Sequence, residues 1–308
     1  MNSSAAPATD ADRAEFRAAG TDISERRRSG VSRGPLIDLV RPPGPDIGWD
    51  SGGAARISAF ASVASIGADQ KLGQAYPGLA AAAGALATPQ VRHLATLGGN
   101  IAQRSRCWYF RDPQISCLKK AGIVCPAREG NHLYGVAFDL GPCVAPHPST
   151  MAAALMAYDA KVNTNFRKQA SIEQVLGDGS NGAADNALTP GEIVESVELD
   201  VPLANERAAY RRAISRSTAE WPLVEVVIRA VIEGGTFKLI RIVAGGVAPV
   251  PIRLRPAETT AQGAAANPAT IAKTVAQTTQ GAKPLSMTGY KLELLQGVVR
   301  DLLERIVA

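Results

Sequence analysis

Apolar and polar positions follow regular patterns towards both ends of the chain and lose them in the middle. The stretches "GPLIDLV" (residues 34–40) and "ARISAFASVASIGA" (55–68) read as strands, and the alanine-rich "YPGLAAAAGALA" (76–87) suits a closely packed helix. Ser149 stands as an N-cap before "TMAAALMAYDAKV", where helix formers run into the alternating start of a strand. Further on, "PLVEVVIRAVIEGGTFKLIRIVAGGV" (222–247) reads as two strands joined by a turn at Gly234 and Gly235. The chain closes on "LELLQGVVRDLLERIVA", with apolar residues at helical spacing. Strands and helices interleave without a βαβ rhythm, which predicts an α+β fold with a domain boundary near residues 200–207 and no internal repeat. The polar opening "SSAAPATDAD" is expected at the surface, with order beginning near Phe16.

From Thr88 to about Pro148 the pattern breaks into turn residues, aromatics and cysteines, and so long an irregular stretch needs an anchor. The chain has four cysteines, and all lie here, at Cys107, Cys117, Cys125 and Cys143, with nine, seven and seventeen residues between them. Buried free thiols explain such residues singly but not their confinement. Disulfides suit neither a large core nor a reducing compartment. Thiolates converging on a metal explain both the clustering and the irregular backbone. No short C-x2-4-C knuckle of structural zinc is present, so the spacing favours an iron–sulfur cluster while leaving zinc open. Lys119, Lys120 and the neighbouring arginines would offset the negative charge of such a cluster, and Trp108, Tyr109 and Phe110 would pack around it and keep water out.

Bulk composition narrows the class. With 308 residues, 46% of them hydrophobic, the chain can bury a large core without covalent staples. No window approaches a membrane span and no signal-peptide pattern opens the sequence, which predicts a soluble, cytoplasmic protein. The net charge of +5 includes the short run Arg26, Arg27, Arg28, too small to imply nucleic acid. His93, His132 and His147 are the only histidines, and packing or hydrogen bonding to backbone is their expected role, so no acid or base catalyst is assigned.

Two small-residue turns suggest an anion. "AAGTDIS" (18–24) follows a short strand-like piece, and "ATLGGNIAQ" (95–103) precedes the first cysteine. Glycines let backbone N–H groups approach an anion, and Thr21, Thr96 and Asn100 add donors. Neither is a Rossmann or P-loop fingerprint, but two together suit a pyrophosphate.

With "AAGTD", "ATPQVRHLATLGGNIAQ", "HPSTMAAALMAYDAKV" and "GGVAPVPIRLRPAE", the chain resembles the FAD-binding medium subunits of molybdenum hydroxylases, the xanthine dehydrogenase family, over most of its length. The stretch from "RSRCWYFRDPQISC" to "CVAPHPS" is similar to the aldehyde oxidoreductase-like subgroup, whose members carry an inserted 4Fe-4S loop. The resemblance implies a two-subdomain FAD-binding fold over residues 1–200, with the cluster loop at about 104–148. It implies a smaller α+β C-terminal domain, an antiparallel sheet plus helices, over 201–308. It places FAD on Ala18, Ala19, Gly20, Thr21, Asp22, Thr96, Gly98, Gly99 and Asn100, and a 4Fe-4S cluster on Cys107, Cys117, Cys125 and Cys143. It implies electron transfer from a large molybdenum-cofactor subunit and a small 2Fe-2S subunit through FAD to an acceptor, with substrate oxidation on a partner chain. Three departures stand out: Ala19 replaces the first glycine of Gly-Gly-Thr, Thr150 replaces an acidic residue after His-Pro-Ser, and the segment before the first loop is short. A rival expectation is a flavin-free, zinc-binding assembly subunit; another is a free-standing flavin oxidase.

Overall fold

The computed structural model describes residues 13–217 and 219–308, so the polar opening lies outside the described residues. β1 (Glu15–Arg17) pairs in parallel with β2 (Leu36–Asp38), the helix Ile23–Arg28 connecting them. A five-stranded sheet joins β3 (Ile47–Trp49), β4 (Ala55–Ser58), β5 (Lys161–Thr164), β6 (Ala170–Ser171) and β7 (Val194–Leu199) in the order β3-β4-β7-β5-β6. A four-stranded sheet runs β11-β10-β9-β8, from β8 (Glu206–Ala213), β9 (Val224–Glu233), β10 (Thr236–Gly245) and β11 (Ile252–Arg253). All pairings in these two larger sheets are antiparallel, and the fold is α+β.

One expected strand is half helix. The stretch 55–68 divides into β4 and the helix Val63–Ala68, whose N-cap Ser62 accepts the Ser65 N–H at 3.0 Å. Val63 and Ile66, one helical turn apart, are both fully buried, while the alanines and serines between them lend the alternation little contrast. The alanine-rich run forms the helix Pro77–Ala85. Its crossing with Val63–Ala68 is close: a Cβ on Gly67 would stand 3.0 Å from the Gly84 nitrogen.

The helix Thr150–Ala157 is buried at every residue and capped as expected, Ser149 Oγ accepting the Ala152 N–H at 3.0 Å. Around it gather Leu72, Leu79, Val197 and, from the second sheet, Val227 and Val243, so the two domains share one apolar core. A second core lies between the four-stranded sheet and the helix Tyr290–Val307, which starts two residues before the expected closing helix. Ala137 and Phe138 of the cysteine-rich segment are built into this second core, and both their N–H groups donate to the Val247 carbonyl, at 2.8 and 3.0 Å. Burying Phe138 contributes roughly 2 kcal/mol to holding the segment down. No helix among the described residues is long and apolar enough to cross a membrane.

Candidate functional site

The four cysteines come together. Cys107 precedes the short helix Trp108–Arg111, while Cys117 and Cys125 each precede a single 3-10 turn, Leu118–Lys120 and Pro126–Arg128. A cysteine just before a helical turn has the turn's free N–H groups pointing back at its sulfur. Thus Cys107 receives the N–H groups of Phe110 and Tyr109, and Cys117 those of Lys119 and Lys120. Cys125 receives those of Val144, Ala127 and Arg128, and Cys143 that of Ala145. All four thiols are free and line one small cavity of about 10 Å³. Burial pushes the Cys107 and Cys117 thiols up. A hydrogen bond between Cys143 and Cys125 pulls the Cys125 thiol down and raises that of Cys143. No three His, Cys, Asp or Glu side chains among the described residues meet closely enough to hold a single metal ion.

Cations surround the sulfurs, each anchored. Buried Lys119 reaches Asp185 Oδ1 at 2.9 Å, and Arg104 Nε reaches Asp185 Oδ2 at 2.5 Å. Burial works to raise the Asp185 carboxyl, but Lys119 and Arg104 outweigh it and hold the group below the usual carboxylate range. Lys120 Nζ donates to the Tyr109 carbonyl at 3.0 Å. Of the three aromatics, Phe110 packs with Val31 and Cys117, and Tyr109 with Cys125. Trp108 differs from expectation: it is 55% exposed and meets Tyr134 edge-on, because the short helix turns it outward. His132 takes its expected role, Nδ1 bonding the Ala127 carbonyl at 2.9 Å and Nε2 the Ser286 hydroxyl at 3.0 Å. His93 does not: it is exposed on the helix Pro89–Leu94.

The two glycine loops are not equivalent. In the first, the N–H groups of Ala18, Ala19, Gly20, Thr21 and Asp22 donate to no protein acceptor among the described residues. Gly20 takes a φ of +82°, which needs glycine, whereas Ala19 is exposed and outside the positive-φ positions. The missing first glycine therefore places no strain on the loop. Asp22 is a counter-ion: its carboxylate pairs with Arg26 and Arg111, at 3.0 and 2.9 Å, and with Arg106. Burial opposes its ionisation, but Arg106, Arg26 and Arg111 together keep it below its ordinary range.

In the second loop the amides are already used. Leu97 and Gly98 donate to the carbonyls of Ala61 and Ala59, both at 2.9 Å. Gly99 donates to Thr96 Oγ1 at 3.2 Å and Asn100 to the Thr96 carbonyl at 2.9 Å. Gly98 is required by packing, since a Cβ there would meet that of Ala59 at 2.8 Å. Asn100 Oδ1 accepts from Ser149 Oγ at 2.7 Å, tying this loop to the His-Pro-Ser segment. Next to it, Thr150 donates to Glu225 Oε2.

A cavity of about 710 Å³ opens between the cysteine-rich segment and the second domain, with Arg106, Trp108, Tyr134, His147, Trp221 and Lys291 in its wall. Cys107, Tyr109 and Ala145 belong to this wall and to that of the cysteine cavity, so the two cavities are separated by one layer of residues. Arg106 lies over the Trp221 ring at 4.6 Å. His147 accepts the Ser149 N–H on Nδ1 at 3.2 Å, and its ring faces the Asp185 backbone without a close hydrogen bond to the buried Nε2 among the described residues. Burial lowers its ring to about 4. Sequence reasoning did not select Asp185, Glu225 or Lys291. Glu225 falls inside an apolar run as a lone charge, which was the available signal; Lys291, with Glu293 two residues on in an amphipathic helix, gave none.

Residues 8–203 match the family described as "FAD binding domain in molybdopterin dehydrogenase", and residues 208–306 the "CO dehydrogenase flavoprotein C-terminal domain". The chain is 31% identical over 253 residues to the aldehyde oxidoreductase FAD-binding subunit PaoB of Escherichia coli K12, covering 80% of this chain and 78% of that one. It is 23% identical over 261 residues to a xanthine dehydrogenase FAD-binding subunit of Escherichia coli O157:H7, covering 83% and 75%. Among solved structures, a chain of Cu,Mo-CO dehydrogenase in its cyanide-inactivated form superposes with a TM-score of 0.73 at 18% identity, over 97% of this chain and 91% of that one. A chain of quinoline 2-oxidoreductase from Pseudomonas putida 86 gives 0.71 at 16%, over 96% and 89%.

Proposed function

We propose a function from one premise: the chain belongs to the family of FAD-binding domains of molybdopterin dehydrogenases, matched over residues 8–203. In this reading it is the electron-transfer subunit of a multisubunit molybdenum-containing oxidoreductase. It acts in the cytoplasm with a large molybdenum-cofactor subunit and a small 2Fe-2S subunit, and passes electrons through FAD to an external acceptor. Residues 1–200 form the FAD-binding domain and 201–308 the C-terminal domain.

The free amides of Ala18 to Asp22 suit the pyrophosphate, with Gly20 supplying the backbone turn. Thr96, Gly98, Gly99 and Asn100 shape the facing loop, whose hydroxyl and amide side chains flank the nucleotide. The flavin ring belongs in the 710 Å³ cavity, where His147 Nε2 offers a donor. When bound, FAD supplies the exchange between one-electron and two-electron chemistry. The protein's own residues orient it, exclude water and set its electrostatics.

Cys107, Cys117, Cys125 and Cys143 would hold the 4Fe-4S cluster, which supplies one-electron storage or relay. The donor set suits it: three thiols at the start of helical turns and a fourth on an irregular stretch, backbone N–H groups aimed at the sulfurs, and Lys119 and Lys120 close by. The cysteine cavity of about 10 Å³ is close to the room of one water, so the sulfurs would have to spread outward to hold a cluster. The observation that carries the reading is the common wall of Cys107, Tyr109 and Ala145, which would bring the two redox centres to opposite sides of one residue layer.

Metal and flavin analysis of the purified protein tests this. Expected are bound FAD, iron with acid-labile sulfide, and a flavin spectrum over a broad iron–sulfur shoulder; Cys117→Ser loses most of the iron and keeps the fold. A colourless protein holding zinc would instead establish the flavin-free assembly subunit.

A further inference from the structure

The first turn of the closing helix buries a lysine with no carboxylate beside it among the described residues. Lys291 is 1% exposed, and its Nζ donates to the carbonyls of Gly246 at 2.7 Å and Tyr134 at 3.2 Å. Those bonds use two of the three ammonium protons. Lys291, Gly246 and Tyr134 all line the 710 Å³ cavity, so the ammonium stands at its wall. Burial lowers the lysine to about 7, and no charge among the described residues offsets it. A buried cation without a counter-charge is unfavourable unless something anionic enters its surroundings.

A purely structural reading makes Lys291 a tie between the cysteine-rich segment and the second domain. Tyr290 already provides such a tie, its hydroxyl donating to the Leu133 carbonyl at 2.9 Å. The same cavity wall carries His147, whose buried Nε2 makes no close hydrogen bond among the described residues.

We propose that the Lys291 ammonium is the counter-charge for the negative charge that the flavin ring acquires on reduction, and so raises the flavin's reduction potential; this rests on the FAD reading above. Two electrons and one proton convert the neutral oxidised ring into a singly negative reduced ring. The electrons come from a one-electron iron–sulfur donor in the assembled complex, or from dithionite in the test. Lys291 gives and takes none of them. Its charge favours the reduced side, the kind of electrostatic tuning that a protein exerts on a bound cofactor.

The test compares the flavin-loaded wild type with Lys291→Met and Lys291→Gln by spectroelectrochemical titration, measuring FAD content and melting temperature on the same samples. Gln keeps a hydrogen-bond donor for the two carbonyls and removes the charge. Both variants are expected to shift the reduction equilibrium about tenfold towards the oxidised form, about 30 mV for a two-electron couple. A lowered melting temperature with an unchanged potential in an FAD-loaded variant identifies a structural tie and overturns the proposal, leaving the FAD reading in place. A wild type that binds no FAD overturns both. Should neither variant fold, sulfite decides on the wild type, since its addition to the oxidised ring leaves a negative charge there. Adduct formation tighter than with free FAD supports the proposal, and no adduct overturns it.

Discussion

Thr150 Oγ1 donates to Glu225 Oε2 at 2.8 Å, joining the first residue of the buried helix Thr150–Ala157 in one domain to strand β9 of the other. Tyr210 donates to the same oxygen at 2.8 Å, and Glu225 is 1% exposed. Burial raises its carboxyl group against the pull of those two hydrogen bonds. The resemblance anticipates an acid at position 150. Here a carboxyl group reaches that place from the opposite domain.

Thr150→Asp should therefore bring two carboxyl groups together in a buried site. We expect a loss of about 2 kcal/mol, from one group's forced protonation or the pair's repulsion. Adding Glu225→Gln should recover most of it, and a denaturant-unfolding double-mutant cycle measures the coupling. Strictly additive losses would show that the two positions do not sense each other.

The glycines separate by cause. Gly20→Ala forces an alanine to a φ of +82°, at roughly 1 kcal/mol, and is expected to lower FAD content. Ala19→Gly should leave FAD content unchanged. Gly98→Ala acts through packing on Ala59 and should cost about 2 kcal/mol in urea melts.

Asp185→Asn leaves Lys119 and Arg104 without their shared carboxylate. Breaking a buried ion pair in this way is expected to cost about 3 kcal/mol. Limited proteolysis should then cut the 104–148 segment before the rest of the chain. Equal protection in the variant would argue against the pair as its anchor.

His147 sets an acid limit. Its ring titrates at about 4 in the folded chain against 6.5 when free, so the folded state binds fewer protons in that window. The contribution to stability is complete above pH 6.5 and falls away as pH drops towards 4, reaching roughly 3 kcal/mol at most. His147→Gln should flatten the slope of unfolding free energy between those values.

What could be read from the sequence followed the strength of each local signal. The β9–β10 hairpin was legible because two apolar runs flank Gly234 and Gly235, and Ser149 because a cap precedes helix formers. The cysteines were legible because all four crowd one stretch without regular structure. The helix Val63–Ala68 was hidden because its small residues give no contrast between faces. The difference between the glycine loops was hidden for another reason. Which amides are already engaged depends on Ala59 and Ala61, whose carbonyls reach the second loop only in three dimensions. Lys291 and Glu225 belong to this class too, their surroundings assembled from both domains and the cysteine-rich segment.

The layer of Cys107, Tyr109 and Ala145 has a consequence for biogenesis. With both prosthetic groups installed as proposed, this partition is a single mould pressed from two sides, and maturation becomes a matter of sequence in time. Iron starvation in the producing cell would then leave protein deficient in flavin as well, although no residue of the pyrophosphate loop had changed.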